Sequence, residues 1–205
     1  MSLTRRKRTV LIVGVDWPRP PNTHMIPPMT ALTKPRMTVD EFLAWAEGRP
    51  GRYELFRGEV YAMSPEVVGR TKIKGLVHAA LLANIRQRGL QCHALPDGAT
   101  VRIDEATAYE PDSLVYCGQE LPPTALEVPN PIIIAEVLSP SIRRVDVSLK
   151  LAGYFRLPSV MHYLIIDPTQ PSILHHARGE RDTIITRIVT AGSIARSARH
   201  RACHG

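Results

Sequence analysis

Three residues in the middle of the chain could do chemistry together: Asp112, Glu136 and Lys150. Glu136 is the most unusual of them. It sits inside IIIAEVLSPS (132–141), where Ile132, Ile133, Ile134, Ala135, Val137 and Leu138 make an apolar, largely β-branched run. Such a run, this short and closed by Ser-Pro, reads as a strand buried on both faces. A carboxylate there is costly unless it is paired, protonated or bound to a metal. Asp112 follows Pro111 near the start of the preceding strand. Alternation sets Asp112 on one face with Leu114 and Tyr116, and Glu136 on one face with Ile134 and Leu138. If the strands are neighbours, the carboxylates meet, and each raises the other's pKa unless a cation lies between them. Mg2+ is the natural cation, because it takes one or two carboxylates, keeps several waters and binds phosphate oxygens. It polarises a phosphodiester and lowers the pKa of an attacking water. From spacing alone the plainer roles fit better: Asp112 capping a turn, and Glu136 in a buried ion pair.

Asp146, Lys150 and Tyr154 stand at i, i+4 and i+8, one line on a helix. A surface Asp146–Lys150 pair is the simple explanation. A lysine beside a metal-bound carboxylate could instead stabilise a phosphorane-like transition state or orient the water. The segment YELFRGE adds Glu54 and Glu59. Glu54 faces away from its neighbours Tyr53 and Leu55, and Glu59 stands just past a turn. Either acid taken alone reads as part of a solvated hairpin. His175 and His176 are adjacent on a strand, so they point to opposite faces and do not chelate one ion.

The elements that position these residues are legible in outline. TVDEFLAWAE (38–47) is a short helix with Thr38 and Glu41 as its capping box. YELFRGEVYAMSP (53–65) is a hairpin around Arg57-Gly58. Residues 70–88 carry the strongest helical periodicity, through Ile73, Leu76, Val77, Ala80, Leu81 and Ile85, and Gly89 ends the helix. Strands follow over 92–103, 108–117 and 131–140. A helix over 146–157, a buried strand over 160–168 and a closing hairpin over 173–192 complete the order. No repeat, Gly-rich phosphate loop, Gly-x-Ser-x-Gly elbow or HExxH is present.

Composition narrows the class. The 205 residues are enough for one domain with a real core, and 44% hydrophobic residues is ordinary for a globular protein. The net charge of +7 belongs to the ends. Residues 1–36 hold seven Lys/Arg against one acid, residues 194–205 hold three arginines, and the rest carries −2. Basicity therefore argues little for nucleic acid without a local patch. Aromatic residues are only 5%, which disfavours a single-strand stacking platform. Three cysteines without a CxxC spacing predict reduced thiols in a cytoplasmic protein. No apolar stretch approaches the roughly 20 residues of a membrane span, so no membrane partner is expected. RRKRTVLIVGV imitates a signal peptide, but its apolar part is short and no cleavage site follows.

Taken in order, YELFRGEVYAMSP, YEPDSLVY, IIIAEVLSPS and DVSLKLAGYFRLPSVMHYLIIDP resemble the Uma family of restriction endonucleases, within the PD-(D/E)XK nuclease superfamily. The resemblance implies an α/β, restriction-endonuclease-like fold: a mixed sheet flanked by helices, preceded by a β-hairpin. It implies a Mg2+-dependent hydrolase, with Mn2+ as a substitute, that cuts DNA. Carried over residue by residue, Asp112 and Glu136 are the metal ligands. Lys150 is the catalytic lysine and Glu59 the further acid. Asp146 and Tyr154 match recurrent positions in supporting roles. The superfamily's lysine falls at Leu138 here, so Lys150 must serve. Arg70 stands near where many relatives have a histidine. By analogy, cutting both strands suggests a homodimer. The alternative is a catalytically inactive module of this fold that binds DNA or a partner. The domain is expected over 37–192, after a disordered Pro/Arg-rich leader (1–36) and before an irregular basic tail (193–205). The tail reads as a truncated or frameshifted end, and the leader as the product of an upstream start codon.

Overall fold

A computed structural model describes residues 36–63, 65–138, 144–170, 172–181 and 183–190, with the side chains of residues 144–146 excepted. The expected tail, the expected leader up to residue 35 and the side chain of Asp146 lie outside the described residues.

Helix α1 (Val39–Ala46) begins where expected. Glu41 N donates to Thr38 Oγ1 (3.3 Å) and Thr38 N donates to Glu41 Oε2 (2.8 Å), so both ends of the capping box are made. Strands β1 (Tyr53–Phe56) and β2 (Glu59–Ala62) form the predicted hairpin. Its turn residues Arg57 and Gly58 both have positive φ (51° and 80°), the geometry of a tight two-residue hairpin. Helix α2 spans Val68–Gln87. Then come β3 (Cys92–Pro96), β4 (Val101–Asp104), β5 (Thr107–Tyr109), β6 (Ser113–Cys117) and β7 (Pro131–Val137). Helix α3 (Arg144–Tyr154) leads to β8 (His162–Asp167), β9 (Ser172–Arg178) and β10 (Ile184–Thr190).

The strands build two sheets. The smaller runs β2-β1-β5-β4, and the larger runs β10-β9-β8-β7-β6-β3. In the larger sheet only β7 and β8 are parallel, joined by α3; the other pairs are antiparallel. The fold is therefore mixed α/β with flanking helices and a leading hairpin, as the resemblance implies. The apparent strand over 108–117 breaks at Glu110-Pro111-Asp112, and its halves join different sheets. Pro111 has no N–H to give to a ladder, which suits it to this break. Asp112 thereby stands at the junction of the two sheets.

One core cluster packs Leu114, Tyr116, Ile134, Tyr163 and Ile165 of the larger sheet against Tyr154, Val101 and Tyr109. A second joins Val39 and Phe42 of α1 to Leu55 and Ala108 of the smaller sheet. Gly153 lets α3 approach β5 closely: a Cβ there would lie 2.8 Å from Tyr109 Cε2 and 3.0 Å from its hydroxyl. Gly153→Ala is expected to destabilise the fold by about 1–3 kcal/mol through overpacking. Denaturant melts of wild type and variant would measure it, and equal stability would contradict it.

Cys92 and Cys117 correct one expectation. They are register partners on β3 and β6 and form a disulfide, with Cα atoms 3.9 Å apart. The odd count of three predicted reduced thiols, but strand pairing brings two of them face to face.

Candidate active site

Antiparallel pairing of β6 and β7 sets Ser113 opposite Ala135. One step further brings Asp112 to the end of β7, where Asp112 Oδ2 accepts a hydrogen bond from Val137 N (2.6 Å). Asp112 and Glu136 are 2% and 4% exposed. The larger sheet thus holds both acids beside each other, among packed apolar side chains.

Glu136 is met from α3. Its Oε1 accepts from Lys150 Nζ (3.1 Å) and from the Tyr154 hydroxyl (3.0 Å). The i, i+4 spacing of Lys150 and Tyr154 delivers both donors from one helix face. The Glu136 carboxyl is pushed up to about 7: burial raises it most, Lys150 draws it down, and Asp112 and Glu54 add to the rise. Burial and the neighbouring Glu136 raise the Tyr154 hydroxyl well above its ordinary value, so it stays protonated as a donor.

Lys150 is shared with a second acid, Glu54 (Nζ to Oε1, 2.8 Å). Glu54 Oε1 also accepts from Glu110 N (3.0 Å), which ties β1 to the sheet junction. The resemblance gave Glu59 as the hairpin's further acid. Glu59 is instead exposed on β2, where its carboxylate accepts from the Tyr61 hydroxyl (3.1 Å). The cause is sheet order. Glu54 and Glu59 share one face of the hairpin, but β1 lies beside β5 while β2 is the edge strand.

Asp112 is met from α2 by two cations the sequence reading did not assign. Arg70 Nη2 lies 3.2 Å from Asp112 Oδ2, and Arg70 Nε donates to Val137 O (2.9 Å). Lys74 Nζ lies 2.6 Å from Asp112 Oδ1, a buried oxygen that accepts no hydrogen bond from the described residues. Lys74 also binds Asp97 (2.8 Å) and Glu66. Burial disfavours the Lys74 ammonium, but Asp112, Asp97 and Glu66 outweigh it and hold its pKa above the ordinary lysine value. Arg52 closes the network through Asp97 (2.6 Å) and Glu110 (2.8 Å). The i, i+4, i+8 series Glu66, Arg70, Lys74 was a visible signal for this face.

Among the described residues, the joined groups are six carboxylates (Glu54, Glu66, Asp97, Glu110, Asp112, Glu136) and four cations (Arg52, Arg70, Lys74, Lys150). With all ionised, two negative charges are in excess. Glu66, Asp97 and Asp112 each offer an oxygen within 4.8 Å of the others. An all-oxygen, net-negative donor set fits a hard divalent cation such as Mg2+ and not a thiolate-seeking metal. His175 and His176 are not part of it. They project to opposite sides, His175 toward His162 (3.1 Å) and His176 toward Thr186 (2.8 Å).

Comparison with known proteins gives the same reading of the fold. The profile of the Uma2 family, described as "Putative restriction endonuclease", matches residues 39–197. Two uncharacterized proteins of Synechocystis sp. (strain ATCC 27184 / PCC 6803 / Kazusa) are similar. With slr1290 the identity is 27% over 161 residues, 74% of this chain and 80% of that protein. With sll1609 it is 25% over 165 residues, 78% and 92%. A crystal structure from Anabaena variabilis ATCC 29413, described as a "putative nuclease belonging to DUF820", superposes with a TM-score of 0.60. The identity there is 15%, over 74% of this chain and 83% of that one, so the likeness is one of fold.

Proposed function

Because the chain belongs to the Uma2 family of restriction-endonuclease-like proteins, we propose that it is a Mg2+-dependent endonuclease that hydrolyses DNA phosphodiesters. The observation that supports this best is the pair Asp112 and Glu136, buried side by side where two sheets diverge, with Lys150 on one of them. Asp112 and Glu136 are the residues to hold the divalent cation, which when bound polarises the phosphodiester and acidifies a water. Lys150, anchored between Glu54 and Glu136, carries its positive charge toward the scissile phosphate. Tyr154 is a positioning residue that keeps Glu136 Oε1 in place. Glu54 takes the role that the resemblance gave to Glu59, because it is the hairpin acid that reaches Lys150. Asp146 keeps the supporting role the resemblance implies.

DNA is then the partner. A homodimer would present one such site to each strand, and a cytoplasmic protein would meet DNA directly. Among the described residues no helix is long and apolar enough to cross a membrane.

The test is nicking of supercoiled plasmid with Mg2+, with Mn2+ and with EDTA. Nicked circles are expected with either metal and none with EDTA. Absence of cutting under every divalent cation would leave the binding-only module as the better account.

A further inference from the structure

Lys74 is a lysine at 4% exposure on a helix that otherwise buries only Ile85. It is not a rim ion pair. Its Nζ lies 2.6 Å from Asp112 Oδ1 and 2.8 Å from Asp97 Oδ2, and it touches Glu66 Oε1. Three carboxylates surround one ammonium: it donates to Asp97 and Glu66, and it lies against a buried Asp112 oxygen that accepts no hydrogen bond from the described residues. Oxygens of the same three residues lie close enough together to hold a metal ion. Asp112 is meanwhile one of the two ligands assigned above. Arg70 adds a second positive charge at 3.2 Å from the other Asp112 oxygen.

We propose that Lys74 is a built-in cation that fills the acidic hollow beside Asp112, and that a divalent metal must displace it to bind. The inference rests on the reading of Asp112 as a ligand. An ammonium and a divalent cation repel each other strongly at such separations, so they do not share the hollow. The lysine is suited to the part, because its charge sits at the end of a flexible four-carbon stem and can swing aside. Arg70 is less suited, being held through Val137 O as well as by Glu66 and Asp112. Without metal, Lys74 keeps the clustered acids from repelling one another. The same contacts weaken the site's hold on metal, so loading is tied to the release of one lysine.

The full-length protein would be titrated with Mn2+, counting free ion by electron paramagnetic resonance, as wild type, Lys74→Met, Lys74→Arg and Asp112→Asn. Lys74→Met is expected to bind Mn2+ at least about tenfold more tightly than wild type, because one repelling charge is gone. Lys74→Arg, which keeps the charge, is not. Binding by Lys74→Met equal to or weaker than wild type overturns the proposal. Undiminished binding by Asp112→Asn would instead remove Asp112 as a ligand and with it the metal reading above. Should Lys74→Met fail to fold, amine labelling of wild type read by mass spectrometry decides. Saturating Mn2+ is expected to raise modification of Lys74 several-fold, and unchanged labelling overturns the displacement.

Discussion

Asp112→Asn is expected to lower DNA cleavage by about 10³-fold or more while the fold survives. The amide keeps an oxygen for Val137 N, which now donates to Asp112 Oδ2 at 2.6 Å. What it removes is the negative charge that a divalent cation needs. Asp112→Ala is a poorer test. It leaves Arg70 and Lys74 facing an empty place in a site where Asp112 is 2% exposed and Lys74 4%. Breaking a buried pair from one side costs about 3 kcal/mol or more. Lost activity in the alanine variant would therefore confuse chemistry with unfolding. Plasmid nicking beside a urea melt separates the two, and full activity in Asp112→Asn would sink the assignment.

The second large effect falls on Lys150. Lys150→Met is expected to reduce cleavage by about 10²–10³-fold, the usual loss when one charged donor at a reacting group is removed. It should also destabilise the protein, and more so at high pH. The sign follows from Glu136. Its folded-state value is raised to about 7, mostly by burial, above that of an exposed glutamate, so the folded protein binds the extra proton between the two values. The stability this contributes is present at low pH and is lost as pH rises through about 7. Above that point wild type has Lys150 between two charged acids, Glu54 and Glu136. The methionine variant has the half-buried Glu54 and the buried Glu136 with no lysine between them, and Glu136 loses the charge that draws it down. Urea melts at about pH 5.5 and about pH 8.5 should show a small deficit at the first and one of about 3 kcal/mol at the second. Adding Glu54→Gln and Glu136→Gln to Lys150→Met should recover most of it, since no charge is then left unpaired. An equal deficit at both pH values would mean that Glu136 is not the group responsible.

Much of the frame that carries these groups is legible in the residues themselves. The Thr38/Glu41 box, the Arg57-Gly58 turn and the β-branched run of Ile132–Ile134 are local signals, and local physics decides them. Asp112 and Glu136 stand out for the same reason: one follows a proline, and the other interrupts an apolar strand. Period-2 alternation also tells correctly which residues share a face.

Alternation does not tell which face turns inward. Nor does it separate Glu54 from Glu59, because the hairpin register sets both acids on one face. The choice is made by sheet order: β1 pairs with β5, which is distant in sequence, and so meets Glu110, while β2 is the edge strand. Helix α2 shows the same limit in reverse. Its apolar positions promise an inward stripe, yet Leu76 is 61% exposed and Lys74 is buried. The acids at the ends of β3 and β6, Asp97 and Asp112, stand where a cation is needed, and burying them without one would cost more than leaving Leu76 in water.

The order of elements and the acid inside the apolar strand are written in neighbouring residues, and the nuclease-like α/β class in the order of motifs that carries the family resemblance. Only the tertiary structure decided that Glu54 reaches Lys150, that Arg70 and Lys74 close on Asp112, and that Cys92 meets Cys117. Those outcomes depend on which strands pair and which charges must neutralise one another across the sheet junction, and neither is a property of any short stretch of chain.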